Sequence, residues 1–365
     1  MGETKNKISS TQLAFFTIQT AIGEGALTLP FGLHAISSGD GWISLLLAGI
    51  TTQIIIVLIW GICRRYPELT LMDILPKLVG KLLGRVVSVL FIAYFTALAS
   101  IVLLNYTRII SSWIFPTTPR WVIMALMMLT TFYLAKESLR MIVRFEVLLS
   151  SIFVILLGLV MFPLFKGNVL YLLPIGISGS GSIIKGIENA AIAMAGFELM
   201  FVIYPQIQSK DRTVLKTMML SYVIITLFYL IIVISCFVFF SPKEMDIVPE
   251  PVLYMLKAVS FRFFERTDLI FLSFWVPIVM TSIANYVFFA ATSIQKLLKV
   301  NQPTLVTFIV VMVCWLLVLM PSDVLQMETI NKWFSKATLI MIYGFPILLF
   351  AVSVWKHRKN KTVVE

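Results

Sequence analysis

Four stretches of the chain, residues 45–62, 142–162, 218–240 and 340–355, are almost uninterruptedly apolar. Each approaches the ~20 residues that an α-helix needs to cross a hydrocarbon core. Apolar residues make up 59% of the sequence and charged residues 13%, against roughly a quarter charged in a soluble domain. A water-soluble fold of this length has no interior large enough to hide that surface. Inside a bilayer every backbone polar group must be satisfied within the chain, so runs of this length read as transmembrane helices. The expected class is an all-α integral membrane protein, one transmembrane domain over residues 1–365.

The net charge of +11 first suggests nucleic acid, but its placement argues for a membrane surface. Cations cluster in alternate connections: Lys5 and Lys7; Arg64, Arg65, Lys77, Lys81 and Arg85; Lys136, Arg140 and Arg144; Lys210, Arg212 and Lys216; Lys296 and Lys299; and Lys356, Arg358, Lys359 and Lys361. The connections between them are poor in cations or balanced by acids. This alternation follows the positive-inside rule, places both termini in the cytoplasm and requires an even number of spans. No basic, apolar and cleavable pattern precedes the first span, so no removable signal peptide is expected. Cys63, Cys236 and Cys314 are scattered at unrelated spacings, and His34 and His357 are isolated. Neither a disulfide framework, nor a metal site, nor any other cofactor follows from them.

Ten spans are expected near residues 9–35, 42–63, 82–114, 121–134, 142–164, 183–204, 214–240, 269–298, 304–319 and 334–355. The amphipathic segment 249–264 is expected as an outer, interfacial helix. Two spans are interrupted. The first reads Ala21-Ile22-Gly23-Glu24-Gly25-Ala26-Leu27-Thr28-Leu29-Pro30, and the sixth Ala193-Met194-Ala195-Gly196-Phe197-Glu198. Small residues and an acid in mid-span free backbone groups that cost several kcal/mol each if they face lipid. Glycines alone would equally suit close helix packing, but interruptions in corresponding positions of two halves point to an inverted-repeat transporter fold. The expected architecture is therefore a 5+5 repeat, residues 9–164 and 183–355, with broken helices 1 and 6. Half-helix N-termini at such breaks offer N–H groups to an anion and half-helix C-termini offer carbonyls to a cation. A zwitterionic amino acid supplies both.

At these residues the chain resembles the amino acid-polyamine-organocation transporter superfamily, and more closely the spore germination permeases, the B subunits of nutrient germinant receptors. The matching pieces are Ile22 through Pro30, then Gly196-Phe197-Glu198, then Phe264-Glu265-Arg266-Thr267-Asp268 opening span eight. The resemblance implies a receptor subunit that binds a small nutrient, usually an amino acid, in a transporter-like pocket. It also implies partners, a membrane-anchored A subunit and a lipoprotein C subunit, in the inner membrane of the spore. By match to the family pattern the pocket is lined by Ile22, Gly23, Glu24 and Gly25, by Ala195 and Gly196, by Tyr94 and Leu98 on span three, and by Thr281 and Ser282 on span eight. Many relatives carry a small residue where this chain has Glu24. That carboxylate would repel a ligand carboxylate, pair with a ligand amine, or point away from the cavity. An active amino acid permease is the alternative reading, and a scaffold for the A and C subunits a third.

Other residues have plainer readings. Glu198 is expected to accept hydrogen bonds from backbone N–H groups freed at the break. Arg108 is expected to snorkel to the interface, and Pro277 to kink span eight near Thr281 and Ser282. Either of those hydroxyls can instead bond a carbonyl of its own helix. Residues 142–164 contain no lysine that would occupy a cation position, which argues against proton coupling there. Gly179-Ser180-Gly181-Ser182 lacks the Gly-Lys-Ser/Thr of a phosphate loop and reads as an external linker into span six. No nucleophile–base pair or metal-ligand cluster stands out, so no enzymatic activity is expected.

Overall fold

The computed structural model describes residues 7–23, 25–259, 265–321 and 323–361, with side chains as far as residue 356 except at residue 324. Glu24, Phe264 and the segment 260–263 lie outside the described residues. In chain order the helices are α1 (Ser10–Ala21), α2 (Gly25–Ser37), α3 (Gly41–Cys63), α4 (Leu71–Val79), α5 (Lys81–Trp113), α6 (Arg120–Ala135), α7 (Leu139–Leu149), α8 (Ser151–Leu164) and α9 (Gly179–Ala193). They continue with α10 (Met200–Ile203), α11 (Asp211–Phe239), α12 (Pro242–Met245), α13 (Pro251–Lys257), α14 (Thr267–Leu298), α15 (Pro303–Leu319), α16 (Val324–Leu339) and α17 (Phe345–Lys361). A helix lies over each of the ten expected segments. By length and composition six helical stretches among the described residues can cross a membrane, or seven with the bent pair Gly179–Ala193 and Phe197–Gln206, whose axes differ by 50°. Two more apolar helices, α6 and α15, are shorter.

The two ends of the bundle are fixed by contacts. At one end Ile8 pairs with Ile207 in a single parallel bridge, Trp60 donates to the Asp211 carbonyl (2.9 Å), and Arg65 donates to Ser353 (2.9 Å). This end carries the described parts of both termini. At the far end Ser178 N–H and Gly176 N–H donate to the Asp40 carboxylate (3.0 and 2.7 Å), beside the α2–α3 turn. Thus α1 leaves the terminal end where α10 arrives, and α2 reaches the far end where α9 begins. The two broken spans run antiparallel, as an inverted pair requires.

Local chemistry sets the helix ends. Ser9 and Gln12 form a reciprocal capping box at α1, Ser9 N–H donating to Gln12 Oε1 (3.0 Å) and Gln12 N–H to Ser9 Oγ (3.2 Å), which satisfies two donors that the first turn leaves open. Thr70 and Asp73 do the same at α4. In the last span, residues Ile340–Gly344 widen into a π-turn just before Pro346, whose ring cannot donate and crowds the preceding turn. The long helices α5 and α14 pack along each other through the middle, and α3 lies between α9 and α11. Gly186 lets α9 close on α3: a Cβ there would strike the hydroxyls of Ser37 and Ser44.

Several sequence expectations change. Gly179–Ser182 is the first turn of α9 and no linker. The segment expected at the interface holds α13, but Val252, Leu253, Met255 and Leu256 are all buried, packed on α2, α8, α11 and α14. Four apolar residues in five consecutive positions give it no lipid-facing stripe of its own, and it plugs the far end of the bundle. Arg108 reaches the glutamate that precedes α13, Arg108 Nη2 lying 3.3 Å from Glu250 Oε1, so it ties α5 to the plug.

That tie gives a pH prediction. Burial pushes the Glu250 carboxyl up from the ordinary value, and Arg108 partly offsets it. A raised folded-state carboxyl favours its neutral form, so its cost to stability sets in as pH rises from the ordinary value of about 4.3 and is complete above the folded value. Arg108→Ala should deepen the loss at neutral pH by about 1–2 kcal/mol, the pair being half-exposed on the arginine side. Thermal melting across pH 4–8, wild type against variant, measures it; superimposable curves would remove the ion pair from the stability of the plug.

Candidate functional site

At the first break α1 ends at Ala21, and Ile22 turns extended (φ −91°, ψ 98°) before α2 restarts at Gly25. The carbonyls released there are taken by side chains of other helices. Ser282 Oγ donates to Thr20 O (3.0 Å), Tyr229 Oη to Ala21 O (2.9 Å) and Trp275 Nε1 to Gly23 O (3.2 Å). At the second break α9 ends at Ala193, and Gly196 adopts φ +129°. Gly196 N–H donates to Glu198 Oε2 (2.8 Å), and Tyr94 Oη donates to Glu198 Oε1 (3.0 Å). The buried Glu198 carboxylate thus serves the freed backbone, as its place in the sequence suggests. Tyr229 Oη also lies 3.2 Å from Ala193 O, so one hydroxyl proton is shared between the carbonyl ends of both broken helices. Backbone left open at membrane depth survives where such partners exist.

Between the breaks lies a cavity of about 310 Å³ bounded by α1, α2, α5, α9, α14 and α16. Gly23, Gly25, Leu98, Ala195 and Ser282 of the expected residues line it. Ile22, Tyr94, Gly196 and Thr281 stand behind the lining, all close to the breaks. Thr281 donates its hydroxyl either to Ile278 O of its own helix (2.7 Å) or to Gln19 Oε1 on α1 (3.1 Å), the helix-bonding role that its position allowed. Glu24 lies outside the described residues. The glycines are close-fitting: a Cβ on Gly25 would come 2.9 Å from Ala193 Cβ, and one on Gly23 would come 3.2 Å from Ser282 Oγ.

Sequence reasoning passed over the other polar lining residues, Asn105, Asn189 and Asn331, with Thr28, Tyr286 and Ser335. Asn105 and Asn189 carry the signal that would have found them, an amide inside an apolar span. Asn331 does not, because it falls in the polar stretch before the expected tenth span, where α16 in fact runs. Asn331 Nδ2 donates to Asn105 Oδ1 (3.0 Å), joining α16 to α5 across the cavity. Among the described lining residues none is an acid or a basic side chain. What the cavity offers is amides, hydroxyls, the first-turn N–H groups of α2 and apolar walls from Leu29, Phe31, Leu98 and Phe334. That set suits reversible binding of a small neutral or zwitterionic molecule.

The fold is that of solved transporters. The crystal structure of MhsT in complex with L-phenylalanine superposes with a TM-score of 0.71 at 16% identity, over 93% of this chain and 87% of that one. A Na+-coupled sialic acid symporter, solved substrate-bound and outward-open, gives 0.64 at 12% identity, over 93% and 80%. Among curated proteins, spore germination protein YndE of Bacillus subtilis is 25% identical over 99% of this chain and 100% of its own length. Spore germination protein GerQB of Bacillus cereus is 24% identical over 97% and 98%. The family profile described as spore germination protein (spore permease) matches residues 7–327. With a helical, multiply membrane-crossing transporter fold and a match over nearly its whole length, the chain belongs to the spore germination permease family.

Proposed function

We propose that the chain is the transporter-like subunit of a spore nutrient germinant receptor. It binds a small nutrient, an amino acid in the first instance, in the mid-membrane cavity, and ligand occupancy triggers germination. The carrying observation is the cavity itself, bounded by both helix breaks, with five of the expected lining residues on its wall. A ligand carboxylate would meet the N-terminal N–H groups of α2, where partial positive charge gathers. Its donors would meet the amide oxygens on α5, α9 and α16. The volume matches the small end of ligand pockets, about 300 Å³, and a transporter of the same fold holds L-phenylalanine.

In this reading residues 9–164 and 183–355 are the two repeats, and the protein sits in the inner spore membrane. Its terminal end faces the cytoplasm, because the basic clusters gather there. The A subunit and the lipoprotein C subunit are the partners that receive the signal. Spores carrying Gly23→Trp should lose the response to one nutrient in a panel of amino acids and sugars, at normal membrane level by immunoblot. Unchanged responses throughout would remove the cavity from sensing. Likeness to a Na+-coupled symporter favours a second reading, an active amino acid permease. Purified protein in liposomes should then accumulate a labelled amino acid under an ion gradient, and no accumulation over a broad panel would dismiss it.

A further inference from the structure

Helix α7 carries a buried acid that the proposed ligand cavity does not use. Glu146 is fully buried, and among the described residues neither of its carboxyl oxygens has a partner at ordinary hydrogen-bond length. Beside it stands Asn285 of α14, itself fully buried, with its amide oxygen also unpartnered. The amide orientation is set by its neighbour. Thr20 spends its only hydroxyl proton on Phe16 O (2.7 Å), so Thr20 Oγ1 can only accept, and Asn285 Nδ2 donates to it at 2.8 Å. The Gln19 side chain lies within reach of the Thr281 hydroxyl (3.1 Å), and its amide donates to the Glu146 backbone carbonyl (3.4 Å).

A carboxylate at membrane depth is costly and by default functional, and among the described residues no cation pairs with it. Helix α7 packs on α1, α8 and α14. Helices α1 and α8 contain no titratable residue. On α14, Asp268 is held by Arg266 (2.8 Å) and Lys296 by Asp73 (3.3 Å), while Tyr286 belongs to the cavity wall. Of the α7 arginines, Arg144 is exposed and Arg140 half-buried, one and a half turns from Glu146. A metal ion would need several oxygen ligands, whereas the carboxylate and the Asn285 amide oxygen are the open oxygens here and the Thr20 hydroxyl already has its partners. A proton needs one oxygen.

We propose that Glu146 is a proton-exchange site linked to the break in the first span. The proton adds to one carboxyl oxygen from water and leaves to water, with no other bond changed. The link is the short chain Glu146, Asn285, Thr20 and Ser282, whose last two members hold the end of α1 at the floor of the cavity. An ionised Glu146 would pull on the Asn285 amide, whose other N–H serves Thr20, and so loosen that end. This inference does not depend on what the cavity binds.

The test uses the full-length protein in lipid vesicles without any nutrient. Infrared difference spectra between acid and alkaline buffer should show loss of a buried protonated-carboxyl band in wild type. The band should be absent in Glu146→Gln and displaced in Glu146→Asp, so that a failure of one variant to fold leaves the other. The tryptophan emission that disappears in Trp275→Phe reports the indole on the Gly23 carbonyl. It should shift with pH in wild type and hold constant in Glu146→Gln. Identical infrared spectra for wild type and both variants would overturn the assignment of the proton to Glu146. A pH shift in emission that survives in Glu146→Gln would overturn the link to the break.

Discussion

Gly196→Val is expected to weaken the nutrient response at least tenfold in spores whose membranes still contain the protein. Gly196 sits at φ +129°, where a side chain costs about 1–3 kcal/mol in backbone strain. The added Cβ would lie 3.3 Å from Thr20 Cγ2 and 3.4 Å from the Ala21 backbone. Those atoms cannot give easily. The end of α1 is held by Ser282, Asn285 and Tyr229, so the extra methyls of valine add overpacking of about 1–3 kcal/mol. Relief comes by moving the two breaks apart, which reshapes the cavity that they bound. Each 1.4 kcal/mol is about tenfold in binding, so the response should need at least tenfold more nutrient, and Gly196→Ala should fall between. Gly80→Ala is the control: Gly80 has φ +92° with nothing within 4 Å, so it carries the strain without the collision. It should lower the melting temperature and leave nutrient sensitivity alone. Loss of response in Gly80→Ala to the same degree would mean that instability, and no local geometry, explains Gly196→Val.

The layout of the helices was largely legible because the bilayer imposes a length on each apolar run, and the breaks were legible because glycine and acid stand out inside one. Residues 21–25 and 193–198 needed no tertiary information to be found. What gives those breaks their stability was illegible. Tyr229 and Trp275 are ordinary aromatic residues of apolar spans, and only the packing of α11 and α14 against the first broken span turns them into hydrogen-bond donors at the right carbonyls. Asn331 was hidden because α16 begins in a polar stretch that resembles a loop. Glu146 was overlooked for another reason: a search for lysine in span five passes over an acid near its start, where Arg140 and Arg144 make the surroundings look solvated. Burial of that face against α1 and α14 is a property of the fold alone. The same holds for α13, whose apolar residues predict an interface but not whether lipid or protein provides it.

Glu198→Ala should be the most destabilising single change at the breaks, by about 3–5 kcal/mol in thermal or chemical unfolding of the purified protein. The substitution leaves the Gly196 N–H and the Tyr94 hydroxyl without their acceptor in a buried site. Each such group costs about 1–3 kcal/mol, and the missing side chain leaves a void. Tyr94 is stacked near Phe334 of α16, at 6.2 Å between ring centres, so its hydroxyl cannot swing out without disturbing the cavity wall. Glu198→Gln separates hydrogen bonding from charge. The glutamine oxygen can accept from Gly196 N–H while its amide donates to Tyr94 Oη, a hydroxyl that accepts as readily as it donates. If Glu198 acts only as an acceptor for freed backbone, the glutamine variant should unfold within about 1 kcal/mol of wild type and keep its nutrient response. A stable Glu198→Gln protein with no response would show that the carboxylate charge itself takes part in sensing. In that case the second break is no passive hinge, and Glu146 and Glu198, the buried acids tied to the two breaks, would have to be treated as one electrostatic device spanning both broken helices.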